Sequence, residues 1–257
     1  MKTKLEEMSW QEVESFLKDD RTPILIPVGS VEQHGYHLPL GTDSMVAIGL
    51  ANDAATLTQI IVTPPLWFGW SPHHLALPGS VSIRAEVLIE LAYDVLESLS
   101  LHGAKKFIII NGHRIVNIPW LQIASERAKR KLGVQIAIFD PAYMIKEIAE
   151  KLGFGEIGHA EEIETSHALH LFRELVHMEK AQDYVHSKKV HYHIDPRISN
   201  DTLCYIPMTA KELKSISGKS GGTTGRPSLA SADKGKILHD HLIKRLVEVI
   251  EEFRTIG

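Results

Sequence analysis

Two short runs constrain the fold of this 257-residue chain more than any other feature: Pro23-Ile-Leu-Ile-Pro-Val28 and Phe107-Ile-Ile-Ile110. Neither alternates apolar with polar residues, so neither suits a strand with one wet face. A strand that is apolar throughout is buried on both sides, which points to a parallel sheet covered by helices. The segments between supply those helices. Val87, Leu88, Leu91, Val95 and Leu99 fall on one face of a helix over Arg84–Leu101, which His102-Gly103 ends. A helix over Asp43–Thr58 starts at Thr42 or Asp43, and another over Trp120–Leu132 leads into a strand at Val134–Phe139. Ile60–Pro64 is a further β-branched run, and Met8–Lys18 reads as an opening helix with Ser9 as N-cap and Glu12 as its capping-box partner. From about Gly155 the pattern changes: a helix over Glu164–Leu175, a polar loop from His186 to His193, a glycine-rich stretch Ser217–Gly225 and a last helix over Ala232–Phe253. Nothing resembles a linker or a repeat, so the expectation is an α/β chain with a mostly parallel sheet and one domain over residues 1–257.

A chain of this length buries roughly three quarters of its unfolded surface and needs no staple to hold a core. The net charge of −4 is spread over both signs without a long basic run, which argues against nucleic acid or a membrane surface as partner. No stretch of 18 apolar residues is present to span a bilayer. A single cysteine, Cys204, and an N-terminus of mixed charge with no apolar secretion segment lead to an expected cytoplasmic location. The unusual count is histidine, at 15, the commonest metal ligand among side chains.

Three segments gather ligand-type residues. In Pro27–Asp43, Glu32 and His34 are two apart and point the same way in an extended segment, and a proline- and glycine-bearing loop can fold Asp43 back on them. Carboxylate, imidazole and carboxylate suit a divalent transition metal; a polar loop with a helix-capping aspartate accounts for the same residues. The second segment places His113 after a strand, with Asn111 and Asn117 near it, where a purely structural histidine is the commoner outcome. In the third, Gly158–Ser166, His159 precedes Glu161, Glu162 and Glu164, acids that either bind a cation or simply solvate a helix start. The first two segments begin at strand C-terminal ends, where ligands sit in open α/β sheets.

Taken in order, these segments resemble the creatininase family of creatinine amidohydrolase-like enzymes. Its Pro-x-Gly-Ser-x-Glu-x-His-Gly-x-His-Leu-Pro-x-x-Thr-Asp string is present from Pro27 to Asp43. Its later elements are matched by His74–Ser80, Asn111-Gly112-His113, His159–Ser166 and Gly225–Ser231, so the resemblance covers nearly the whole chain. It implies a three-layer α/β/α fold with a mostly parallel central sheet. It also implies two divalent metal ions, zinc, manganese or iron, with Glu32 and His113 on one, His34 on the other and Asp43 bridging. A metal-bridging hydroxide would attack the substrate, with His159 as the proton shuttle. A ring-like or hexameric homo-oligomer acting on a small molecule is further implied.

The chain departs from the pattern in three places. Asn111-Gly-His-Arg-Ile-Val-Asn117 carries one extra residue before the asparagine. Ile115 stands where creatinine-hydrolysing members have a metal-binding glutamate, so Glu164 is expected to complete the second site, with Glu161 and Glu162 as rivals. Gly158 replaces an acid, which counts against creatinine itself. Arg114 beside a ligand is a candidate to grip a carboxylate, phosphate or polyol, and His74 and Trp70 are candidate pocket residues. The expected reaction is hydrolysis of a non-peptide C–N bond in a small cyclic amide or formamide. A cyclic sugar ketone or lactone is the alternative substrate, and a non-catalytic metal- or small-molecule-binding domain the alternative of another class. Gly218-Lys219-Ser220 imitates a phosphate loop, but Leu213 replaces its first glycine.

Overall fold

The computed structural model describes residues 2–155, 157–185 and 209–256. The histidines at 186, 191 and 193 and Cys204 lie outside them. The three expected strands form a parallel sheet in the order β1 (Ile24–Val28), β2 (Lys106–Asn111), β3 (Gln135–Phe139). Ile24 pairs with Phe107 and Val28 with Asn111, while Lys106 pairs with Gln135. The helices in chain order are α1 (Trp10–Phe16), α2 (Thr42–Thr58), α3 (Ala85–Leu101), α4 (Ile118–Leu132), α5 (Pro141–Met144), α6 (Lys146–Leu152), α7 (Glu162–Leu171), α8 (Ala210–Ser220) and α9 (Ala232–Thr255). Among the described residues no helix is long and apolar enough to cross a membrane.

Both faces of the sheet are covered, as its unbroken apolar strands require. Leu25, Ile108 and Ile110 pack with Leu50 of α2 and Leu242 and Leu246 of α9. The alternate residues Ile24, Ile26, Phe107 and Ile109 pack with Leu88 and Leu96 of α3 and Trp120 and Ala124 of α4. The result is the expected three-layer α/β/α arrangement. α1 closes with the capping box read from Ser9 and Glu12.

Three elements differ from their expected form. Ile60–Pro64 pairs with β1 only briefly: Leu25 N–H donates to Ile61 O (2.9 Å) and Thr63 N–H to Leu25 O (2.9 Å). Pro64 and Pro65, which cannot donate, interrupt the pairing, which resumes only at Leu66, whose N–H donates to Pro27 O (2.9 Å). The helix placed at Glu164–Leu175 begins at Glu162, capped by the Glu161 carboxylate on Ile163 N–H, and ends at Leu171 before a single 3-10 turn at Arg173–Leu175. Half of the glycine-rich stretch is the end of α8, and Gly218-Lys219-Ser220 is its last turn.

Two close approaches join the site-bearing segments. A Cβ on Gly112 would lie 1.9 Å from Asp43 O, so the loop after β2 lies directly on the start of α2. A Cβ on Gly235 would lie 1.8 Å from Ser166 O, so α9 meets α7 without a side chain between them. Gly235→Ala forces two backbones apart and is expected to lower stability by about 1–3 kcal/mol. The midpoint of denaturant unfolding measures the loss, and an unchanged midpoint would contradict the packing described.

Candidate metal centre

At the C-terminal ends of β1 and β2 the structure gathers Glu32, His34, Asp43, His113, His159 and Glu164. Glu32, His34 and Asp43 are 0%, 0% and 2% exposed, so their hydrogen bonds decide their chemistry. His34 Nδ1–H can only donate to Glu32 O (3.1 Å), which turns Nε2 towards Asp43 Oδ1 (3.2 Å) and Glu164 Oε2 (3.8 Å). An imidazole oriented in this way presents a ligand lone pair, as metal-binding histidines do. His113 lies between the two acids, with Nδ1 3.0 Å from Asp43 Oδ2 and Nε2 3.4 Å from Glu32 Oε2. Two hydroxyls steady this side: Ser30 Oγ donates to Glu32 Oε2 (3.3 Å) and pairs with Ser71 Oγ (2.8 Å), which lies 3.2 Å from His113 Nε2.

Ligand-type atoms converge in three sets, each with its members within 4.8 Å of one another: Glu32, Asp43 and His113; His34, Asp43 and Glu164; and Glu32, His34 and His159. Glu32 Oε1 and Asp43 Oδ2 are buried and accept no hydrogen bond from the described residues. Carboxylate oxygens left bare in this way, beside imidazole nitrogens, match what a divalent cation requires.

The loop carrying His113 is held by amides. Asn111 Nδ2 donates to His113 O (2.9 Å) and Asp140 Oδ2 (2.9 Å), and Asn117 Nδ2 donates to Gly29 O (3.0 Å). Ile115 adopts φ +68°, an uncommon conformation for a β-branched residue. Asp140 Oδ2 accepts its N–H at 2.7 Å and holds it there. The Ile115 side chain packs into the core and offers no ligand.

Arg114 is buried, with two of its guanidinium nitrogens engaged and Nη1 without a hydrogen-bond partner among the described residues. Its side chain is 8% exposed, its Nε donates to Glu164 Oε1 (3.0 Å) and its Nη2 donates to Glu161 Oε1 (2.6 Å). The guanidinium expected to grip a substrate anion is therefore engaged by two of the chain's own acids. Glu164 Oε2 accepts from Ala160 N–H (2.6 Å) and still faces His34. The rival acids are occupied elsewhere: Glu161 caps α7, and Glu162 takes Lys234 at 2.5 Å. His74 is buried against Glu32 Oε1 (Nε2 at 3.3 Å). Trp70, expected in the pocket, is half-buried and packs against the core beneath α3 and α4. Ser30, Gln33, Ser71 and Asp140 were not singled out from the sequence. Ser30 and Gln33 lie inside the Pro27–Asp43 string and Asp140 directly follows a strand, whereas Ser71 carries no local signal.

A profile of the creatininase family, described as creatinine amidohydrolase, matches residues 6–250. The chain belongs to the creatininase family. It is 30% identical over 246 residues to 3-dehydro-scyllo-inosose hydrolase of Thermotoga maritima, covering 90% of this chain and 78% of that protein. It is 23% identical over 264 residues to creatinine amidohydrolase of Pseudomonas putida, covering 96% and 95%. A mutant creatininase of Zn–Zn type superposes over the full length of both chains with a TM-score of 0.84 at 22% identity. Membership makes the chain a metal-dependent hydrolase.

In this creatininase-family site, burial and the acids compete. Burial alone would lower His34 and His113, yet Asp43 and Glu32 raise them to about 10 and about 9 respectively. Burial pushes Glu32 up to about 7, while His34 and His113 hold Asp43 well below the usual carboxylate range against its burial. The acids thus favour the charged form of the two imidazoles, and a bound cation would compete with those protons. The surrounding histidines are neutral: burial lowers His37 and His73 to about 4 and His159 to about 3, and takes His74 well below its ordinary value.

His37 and His73 carry a pH consequence. Unfolded, each titrates near 6.5, whereas folded each titrates near 4. Between these values the unfolded chain binds protons that the folded chain refuses, so stability falls as pH drops through that window. Unfolding free energy is expected to drop by on the order of 1–3 kcal/mol from pH 7 to pH 5, less steeply in His73→Gln. A flat stability profile there would refute the burial assignment.

Proposed function

We propose that residues 1–257 form one hydrolase domain holding two divalent metal ions, zinc, manganese or iron. Glu32, Asp43 and His113 would hold one, and His34, Asp43 and Glu164 the other, with Asp43 shared. The observation that carries this reading is the overlap of two three-ligand sets on Asp43, whose Oδ2 is buried without a hydrogen bond. Bound there, the pair would lower the pKa of a water towards neutrality and polarise a carbonyl.

The chain's own groups then have distinct tasks. Burial keeps His159 neutral, so it can accept the proton of an attacking water and return it to the leaving atom. Arg114 holds the Glu164 carboxylate by Oε1 and leaves Oε2 directed at His34. The substrate we infer is a small cyclic molecule attacked at a carbonyl carbon, and the bond broken is the C–N bond of a cyclic amide or formamide. A cyclic sugar ketone is the second reading. The 30% identity to an inosose hydrolase and the loss of the creatinine-type glutamate at Ile115 favour it.

Metal-stripped protein reloaded with zinc, manganese or ferrous iron is expected to turn over one class among lactams, formamides and inosose-type diketones, and to lose that turnover to a chelator. Activity indifferent to chelation would refute the reading. Asp43→Ala should empty both sites by elemental analysis, whereas Glu164→Gln should keep the fold, deplete one site and cut kcat by orders of magnitude. Full metal occupancy in Asp43→Ala would overturn the shared-ligand assignment. His159→Ala should keep its metal and lose about 10²–10⁴-fold in kcat; unchanged turnover would remove it from the proton path.

A further inference from the structure

Gln33 lies between the two metal-set residues Glu32 and His34, is 4% exposed and makes contacts that leave its amide no freedom. Its Oε1 accepts from Gly35 N–H (3.1 Å), and its Nε2 donates to Gly222 O (3.2 Å). Reversing the amide would set nitrogen against an N–H and oxygen against a carbonyl, so the orientation follows from partners whose own roles are invariant. The same Nε2 lies 2.9 Å from His74 Nδ1. Because that nitrogen of Gln33 can only donate, His74 Nδ1 must accept. A neutral imidazole that accepts at Nδ1 carries its proton on Nε2, and His74 Nε2 is the atom 3.3 Å from Glu32 Oε1.

The backbone of Gln33 settles the second histidine. His159 Nε2 lies 2.5 Å from Gln33 O, a carbonyl that can only accept, so His159 also carries its proton on Nε2. Its lone pair is then on Nδ1, and Nδ1 is the atom 3.7 Å from Glu32 Oε1. The two rings lie 4.3 Å apart and present opposite chemistry to one carboxylate oxygen. His74 offers a proton, and His159 offers a lone pair.

We propose that Gln33 is a positioning residue that fixes both tautomers, placing the His74 Nε2 proton on the side facing Glu32 Oε1 and leaving His159 Nδ1 open to take a proton or a cation. The proposal rests on the reading of Glu32, His34 and Asp43 as the metal centre. It explains why two neighbouring buried histidines act differently: His74 turns a proton towards the carboxylate, and His159 turns a lone pair towards it and is free for proton transfer. Hydrogen-bond partners placed behind a ligand set the tautomer and basicity of the groups they hold.

Nitrogen NMR of histidine-labelled protein tests the assignment without turnover, in the metal-free and the zinc-loaded forms. His74→Gln and His159→Gln spectra identify the two rings. The wild type should show both rings protonated on Nε2. Gln33→Glu replaces the donor by an acceptor, so His74 should move its proton to Nδ1 or become an imidazolium. His159, held by the backbone, should stay as it was. In the zinc-loaded enzyme the same variant should lose about 10–100-fold in kcat with KM little changed, while Gln33→Met should show His74 divided between tautomers. A wild-type His74 protonated on Nδ1 would overturn the proposal, and that measurement stands even if a variant fails to fold. So would a Gln33→Glu spectrum unchanged at His74. If the tautomers are as stated but no loaded form hydrolyses anything, the hydrolase reading fails and the tautomer assignment survives.

Discussion

Two carboxylates, Glu32 and Asp43, lie almost wholly out of water at the end of the sheet, and the rest of the site answers to that fact. A buried carboxylate without a partner costs several kcal/mol. Here the compensation comes from histidines that lie between the acids, whose charged form the acids favour. Such an arrangement is stable and also exchangeable, since a divalent cation can compete with the protons of that form. The surrounding ring of neutral histidines adds no further positive charge to compete with it.

The geometry needed to hold these groups explains features that look wasteful elsewhere. Ile115 at φ +68° and Ala160 at φ +50° are poor conformations for residues with side chains. Each has its N–H taken by a buried acid: Asp140 for Ile115, and Glu164 for Ala160. Arg114 then links the two loops through Glu161 and Glu164. The strain keeps the His113 loop and the start of α7 facing each other across Asp43.

Much of this is legible in the amino-acid sequence. The unbroken apolar runs at Ile24–Val28 and Phe107–Ile110 led to a parallel sheet between helices, because no other arrangement buries both strand faces. The ligand-type residues were legible because they cluster in short segments at strand ends. What escaped was set by tertiary contact. Nothing in the sequence shows that Arg114 turns inward to Glu161 and Glu164, or that Trp70 packs under α4, since both depend on segments far away in the chain. α8 carries a sequence signal in the capping box of Thr209 and Glu212, but the glycines that follow are weak helix formers and obscure it.

Ile115 on the loop after β2 packs against the core and offers no ligand, and this alters how the site depends on the rest of the fold. Were the second ligand set completed from the loop after β2, it would be finished by the first half of the chain alone. With Glu164 in that place, the set needs α7, and α7 is held against α9 where Gly235 meets Ser166. Asp43 and His34 come from the segment after β1, so the two halves of the chain must dock before the ligand set exists. Arg114 is the physical link, since it grows from the β2 loop and bonds the α7 acids. A variant that loosens the α7–α9 contact should therefore disturb the set containing Glu164 before the set containing Glu32 and His113, because only the former draws on α7. The ligand-type set containing Glu164 is thus a property of the assembled fold, while the set containing Glu32 and His113 draws on the segments that follow β1 and β2.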